Sequence, residues 1–360
     1  MPHVVILGGS FAGCNAVKTL YSLAPDLELT LISSSSHAYF NCAAPRLLVE
    51  PETLEKTLFS LDTFVQKHSK GRGRFVQGTA TKANLEKKEI EVDATNGNKT
   101  ITYDYLVIAT GTKSSDKGFK VNQSHEEASE AILDWGKKIK AAETIGILGG
   151  GPTGVESAGE IAHDLKKKVT VYTGDKEPLS VAKLGKGTQD KLEKLGVEVI
   201  NNVRYKEIIP QDSGASRVVF DNGSERTFDV ILNTTLYVPF SDFLPDEVKN
   251  DKGFVNVDDR LVVKGFPEVF ALGDIVAGAA QSIVDLKFGQ LPVFAATAKA
   301  DIFGQETKSI SYSPVRSTII VPISRKGGEG RLFGWHIPSF AVWLIKARTF
   351  MVDKASGDFA

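Results

Sequence analysis

Residues 4–13 read Val-Val-Ile-Leu-Gly-Gly-Ser-Phe-Ala-Gly, and this stretch decides the fold. Four apolar residues with no polar interruption predict a strand buried on both faces, as in a parallel sheet. The strand runs into a glycine turn, and a helix is predicted from Cys14 to Leu23 with Val17 and Leu20 on one face. Gly8 makes the tight turn and Gly13 lets helix pack on strand. The helix N-terminus offers unpaired N–H groups and a positive dipole end to a pyrophosphate. Ser10 stands where a G-x-G-x-x-G turn has its middle glycine, and its hydroxyl adds a donor there. Gly9, Phe11 and Ala12 complete this candidate cofactor-binding turn. One such turn is weak evidence, because many glycine-rich turns bind nothing.

A second copy makes the signal specific. Residues 145–156 read Ile-Gly-Ile-Leu-Gly-Gly-Gly-Pro-Thr-Gly-Val-Glu, with Gly149, Gly151 and Gly154 in register and Pro152 and Thr153 between them. An apolar strand precedes this turn, and a helix is predicted from Val155 to Leu165. Two phosphate turns about 140 residues apart predict two dinucleotides and electron transfer between them. The fold expected is α/β, with two Rossmann-like domains, the second inserted in the first. A small C-terminal hairpin-helix appendage follows. The boundaries expected are 1–118 with 253–308 for the first domain, 119–252 for the second and 309–360 for the appendage.

Composition narrows the class. Of 360 residues, 42% are hydrophobic and 24% charged, which is ordinary for a soluble globular protein. A formal net charge of −1 gives no reason to expect a nucleic-acid partner. No apolar run approaches the ~20 residues of a membrane span. The N-terminus enters a core strand by Val4, so a signal peptide is not expected, and Met1-Pro2 lacks the Met-Gly start of myristoylation. Two cysteines, Cys14 and Cys42, do not indicate a disulfide framework. A cytoplasmic setting is the expectation, and no metal site is expected.

Along the chain, residues 27–32 are expected to be the second parallel strand. Ser33 then occupies the place where an Asp or Glu usually binds an adenosine ribose. Three segments, near 74–80, 90–92 and 101–103, alternate and predict an antiparallel meander turning at Asn96-Gly97. Another buried strand ends in Ala109-Thr110-Gly111, small residues that let the chain pass close to a cofactor and cross to the next domain. A helix is predicted over 126–140. After the strand 169–172 the ribose place holds Thr173, with Lys176 nearby, a pair that tolerates a 2′-phosphate and so predicts acceptance of NADPH. Strands at 197–200, 218–220 and 229–232 are expected to complete the second sheet.

The apolar run 269–275 ends in Gly273-Asp274, a second flavin signature in which Asp274 accepts a ribitol hydroxyl hydrogen bond. The helix expected over 289–303 would aim its positive end at the flavin. A hairpin around 326–330, a helix over 338–348 and a loose polar tail are expected to close the chain. The broad apolar side of residues 340–348 suits packing on the body or peripheral contact with an intracellular membrane. Nothing in the sequence sets an oligomeric state.

With these motifs in this order, the chain resembles the two-dinucleotide pyridine nucleotide:flavin oxidoreductases. Within them it is similar to the apoptosis-inducing-factor-like branch, especially the ferroptosis-suppressor-type NAD(P)H:quinone reductases. The resemblance rests on residues 8–13, Pro45-Arg46, 149–156, 270–274, 327–330 and 344–348. It implies FAD held by Ser10 to Gly13, Arg46, the backbone near Ala80, and Asp274, with Arg46 balancing the flavin diphosphate. It implies NAD(P)H as co-substrate, its nicotinamide oriented near Glu156, and Lys346 near a route for a quinone-like acceptor. Glu156 is otherwise a first-turn helix charge, worth about a few tenths of a kcal/mol. Cys42 suggests a second reading, a single-thiol NADH oxidase or peroxidase. A third is a redox-switched signalling protein like apoptosis-inducing factor. A dithiol reductase is excluded, since no second Cys follows Cys42, and the 86 residues after Asp274 are short for a dimerisation domain.

Overall fold

The computed structural model describes residues 2–235 and 237–360. The quoted stretch forms β1 (His3–Leu7) and opens α1 (Phe11–Leu23), and β2 (Glu28–Ser33) follows in parallel with β1. The chain continues through β3 (Arg74–Asn84), β4 (Glu89–Ala94), β5 (Gly97–Thr102) and β6 (Tyr105–Ile108). It then leaves for a second sheet. That part begins with α2 (His125–Ala141) and β7 (Thr144–Leu148), followed by α3 (Pro152–Glu160) and β8 (Lys168–Tyr172). It ends with β9 (Glu198–Ile200) and β10 (Val230–Asn233). The return supplies β11 (Val269–Ala271), α4 (Leu291–Asp301) and a hairpin of β12 (Ile319–Ser324) and β13 (Gly327–Leu332).

The first sheet runs β11-β6-β1-β2-β3-β4-β5, and the second runs β9-β8-β7-β10. Each places its glycine-turn strand between a second strand and a late returning one, the arrangement of a dinucleotide fold. The core strands are almost wholly buried, with Val4, Val5, Ile6, Ile145 and Ile147 all at 0% exposure. Such uninterrupted burial is why their sequences do not alternate.

Several expected elements are refined or corrected. β3 does two jobs: Arg74–Gln77 pair in parallel with β2, and Gly78–Asn84 pair antiparallel with β4. The sheet therefore grows sideways into the expected meander. Its turn occupies residues 95–96, and Gly97 opens the next strand at φ 101°. Residues 216–220 do not join the second sheet. They form a separate antiparallel sheet with 205–210 and 225–228, laid over Tyr172 through Phe220 and Phe228. The helix after the second turn stops at Glu160 and continues as a π-helical turn, Ile161–Leu165.

The hairpin turns at Arg325-Lys326, earlier than the expected 326–330, and a third strand, Trp335–His336, joins it. Its β12 is pressed onto α3 so closely that a Cβ on Gly159 would collide with the Ile323 carbonyl oxygen. The expected loose tail is instead docked. Phe359 is buried against Phe11, Phe40 and Phe59, and Asp358 pairs with Lys287 at 2.7 Å. Lys18 Nζ donates to the carbonyls of Gly357 and Asp358. Aromatic area drives this docking, a signal that the polar residues around Phe359 conceal.

The two crossings between the sheets lie side by side. Residues 112–114 pair antiparallel with 237–239, and just beyond them Asn233 N donates to Asp116 Oδ2 at 2.7 Å. Burial pushes the Asp116 carboxyl up to about 6 from 3.8, against the pull of the Asn233 hydrogen bond. A raised folded pKa means that stability is fully present below the unfolded value and falls as pH rises through the folded one. The wild-type protein should therefore lose roughly 1–3 kcal/mol of unfolding free energy between about pH 4 and 6 relative to Asp116→Asn. Parallel denaturant titrations of the two proteins check this, and equal pH dependence would contradict it.

Candidate active site

At the first turn, α1 starts without an acidic residue, and the Ser10 hydroxyl makes no cap bond to the helix. Its N–H groups are thus free of carboxylate competition. A Cβ on Gly8 would strike the Ala109 carbonyl, and one on Gly13 the Gly8 carbonyl, so both glycines are required by backbone approach. Gly9 packs against Leu61 and Ser33, which sits at the end of β2 in the expected ribose place. Ala80 falls at a register shift in the β3–β4 pairing.

The Ala-Thr-Gly strand end is tied to the returning chain. Thr110 Oγ1 donates to the Phe240 carbonyl at 2.7 Å, and Phe240 N donates to the Gly111 carbonyl at 3.0 Å. Gly273, at φ 82°, brings the second signature against Ala12, where a Cβ would lie 2.7 Å from the alanine methyl. Its N–H donates to Gln290 Oε1 at 2.6 Å, and Gln290 Nε2 donates to the fully buried Asp285. Asp274 Oδ2 accepts from Lys120 Nζ at 2.7 Å, and the same ammonium reaches Thr112 Oγ1 and faces the Tyr237 ring. Lys120, Asp285 and Gln290 lie in no glycine motif, so sequence reasoning missed them.

The second turn repeats the geometry. α3 begins at Pro152 with no first-turn acid, and none of the described residues lies within 4 Å of where a Gly151 Cβ would stand. Gly154 packs on the Gly149 carbonyl, and Thr153 Oγ1 meets Tyr237 Oη at 3.2 Å. Thr173 differs from expectation. It is buried on Gly150, and its hydroxyl accepts from Asp175 N rather than facing a ligand. Lys176 is exposed on the same loop.

α3 carries two buried carboxylates one turn apart. Glu156 Oε1 accepts from Lys346 Nζ at 2.5 Å. Burial pushes the Glu156 carboxyl up, and Lys346 pulls it back. Burial also pushes the Lys346 ammonium down, but Glu156 and Cys42 hold it above its ordinary range. A proton is thus firmly held at Nζ. Glu160 pairs with Arg46 Nε, while Arg46 Nη2 donates to the Ala347 carbonyl at 2.9 Å. Arg46 is therefore spent on joining α3 to residue 347, which corrects the expected pairing with a flavin diphosphate. Glu156 lies beyond the first turn of α3, which corrects its expected place there, and its removal would strand a buried ammonium.

Cys42 lies within electrostatic reach of Lys346, Glu156 and Asp274. Burial nevertheless pushes its thiol up to about 11, and Lys346 offsets only part of that. A neutral thiol is a poor nucleophile, so burial works against the thiolate that a redox role for Cys42 needs.

These features fit the two dinucleotides. Free helix N-termini, close-packed glycines and open space at Gly151 suit pyrophosphates, and Asp274 suits a ribitol hydroxyl. Comparison with known proteins agrees. A family model described as pyridine nucleotide-disulphide oxidoreductase matches residues 2–298. Oxidoreductase ptaL of Pestalotiopsis fici is 30% identical, over 98% of this chain and 97% of its own. Ferroptosis suppressor protein 1 of Xenopus tropicalis is 27% identical, over 98% and 94%. The sulfide:quinone oxidoreductase of Aquifex aeolicus superposes with a TM-score of 0.69 at 22% identity, over 86% of this chain and 79% of that one.

Asp274→Asn keeps the side-chain shape and removes the charge. Loss of a charged hydrogen bond should weaken FAD binding by about 1.5–3 kcal/mol, read by titrating FAD into deflavinated protein. An unchanged affinity would show that Asp274 serves Lys120 alone.

Proposed function

The chain belongs to the pyridine nucleotide-disulphide oxidoreductase family, and from that premise we propose that it passes electrons from NAD(P)H to a quinone-like acceptor reaching the site beside Lys346. The chain is an oxidoreductase that uses FAD and NAD(P)H. Bound FAD supplies hydride acceptance from the nicotinamide and onward electron transfer.

The observation that carries this reading is the Glu156–Lys346 pair. Glu156 belongs to the helix beneath the second nucleotide, where its carboxylate can orient a carboxamide, and errors of about 1 Å there are costly. Lys346 belongs to the π-helical turn Trp343–Ala347, and its Nζ holds a proton where an acceptor gaining electrons also needs protons. The pair therefore joins the donor side to the acceptor side in one contact.

The closing segment that carries Lys346, and the strands before it, expose apolar side chains. Phe333, Trp335, Phe340, Trp343 and Leu344 are all exposed, Trp335 at 80%, and Arg348 lies over the Trp343 ring. Residues 330–352 contain no acid. Aromatic side chains flanked by cations suit the headgroup level of an anionic lipid surface, where hydrophobic quinones reside. Among the described residues, no helix is long and apolar enough to cross a membrane. The quinone named for the Aquifex aeolicus neighbour is consistent with this acceptor class.

Anaerobic stopped-flow kinetics separate the two roles. Glu156→Gln should slow flavin reduction by NADPH roughly tenfold to a hundredfold, equal to about 1.4–2.8 kcal/mol. Lys346→Met should slow reoxidation by a short-chain quinone more than it slows reduction. Because each single change strands a buried partner, at a cost of about 3–5 kcal/mol, melting is measured alongside for the double variant. Wild-type rates in both half-reactions would overturn the assignment. Trp335→Ser with Phe340→Ser should abolish co-sedimentation with phosphatidylserine-containing vesicles, and unchanged co-sedimentation would remove the lipid contact.

A further inference from the structure

A dinucleotide fold places the adenosine ribose at the carboxyl end of its second strand, here β8. The residues best placed by sequence to read the 2′ position were Thr173 and Lys176. Thr173 is buried on the Gly150 turn and its hydroxyl is occupied by Asp175 N. Something else must face that position.

The segment after β9 is fastened to this loop. Thr173 N donates to the Ile200 carbonyl at 2.9 Å, Asn202 N to the Asp175 carbonyl at 3.0 Å and Val203 N to the Thr173 carbonyl at 3.0 Å. Arg204 is thereby anchored, and its own N–H donates to Asp221 Oδ1 at 3.0 Å. Its side chain lies across Gly174, where a Cβ would come within 2.5 Å of Nε and 2.9 Å of Cζ. Glycine lets it lie there without moving aside. The guanidinium is 3.8 Å from the Asp175 carboxylate, and both groups are more than half exposed. It is a cation with a fixed root and a solvent-facing head, beside the ribose end of the strand.

We propose that Arg204 is the residue that reads the adenosine 2′ position, engaging the 2′-phosphate of NADPH, with Asp175 opposing it. A guanidinium fork matches phosphate oxygens bidentately, which a lysine does not. A carboxylate in the same place favours a free 2′-hydroxyl and repels phosphate. The balance between Arg204 and Asp175 then sets how far the protein prefers NADPH to NADH. This rests on NAD(P)H being the donor, which family membership supports independently.

The test uses binding to the FAD-loaded protein, with adenosine 2′,5′-bisphosphate and ADP as probes in calorimetry. Arg204→Ala should weaken the bisphosphate about tenfold and leave ADP unchanged, the loss of one exposed charge-assisted contact. Asp175→Ala should strengthen the bisphosphate severalfold, also without effect on ADP. This arm leaves Arg204 intact, so the test survives if the arginine variant folds poorly. The ratio of kcat/KM for NADPH over NADH should move with the bisphosphate affinity. Equal weakening of both probes by Arg204→Ala, or no change in either, would overturn the proposal. Wild-type protein that binds neither probe would overturn the NAD(P)H premise as well.

Discussion

Two acids on one buried helix face, Glu156 and Glu160, impose the constraint on which the rest of the molecule depends. A buried carboxylate cannot stand unpaired, and removing one partner from such a pair costs about 3–5 kcal/mol. The partners come from distant chain: Arg46 from the short helix Ala44–Leu47 between β2 and β3, and Lys346 from the closing segment. Neither pair is strong evidence for stability, since apolar substitutes often do as well. What they fix is register. The pairs bring α3, the short helix carrying Arg46 and the π-helical turn carrying Lys346 together in one register. One oxygen of Glu160 has no partner even so, which makes Arg46 harder to dispense with.

Around that contact, close backbone approach does the remaining positioning. Gly159 admits β12 onto α3, Gly273 admits the Gly-Asp turn onto Ala12, and Gly8 admits the strand end at Ala109. Lys120 then links the crossing strands to Asp274, while Tyr237 links them to Thr153. The nucleotide turn and the flavin signature are thus bound to the same pair of crossings, so the distance between the two cofactor sites is set by rigid chain.

Legibility in the sequence followed the range of the interactions. Both glycine turns and the buried strands before them were readable, because strand burial, turn geometry and helix starts are encoded within about ten residues. Glu156 was visible as a position, but its partner was not read from the residues themselves: Lys346 lies 190 residues away and only the resemblance singled it out. Arg46 was recognised as important and given the wrong partner for the same reason. The inward direction of Thr173 was not readable, because it depends on packing against Gly150. Cys42 has Lys346 and Glu156 as charged neighbours, and burial, which no motif records, raises its thiol. The closing segment looked loose because Phe359 sits among polar neighbours, and only the assembled Phe11, Phe40 and Phe59 surface shows what it covers.

The proposed reaction moves electrons from NAD(P)H through flavin to a quinone-like acceptor. The most direct measurement is the visible spectrum of the purified protein under anaerobic conditions, before and after NADPH and then after a short-chain quinone. The account predicts a yellow protein that bleaches with NADPH and recovers its colour when the quinone is added. A colourless protein that takes up no FAD, or a bleached one that stays bleached with quinone present, would contradict it.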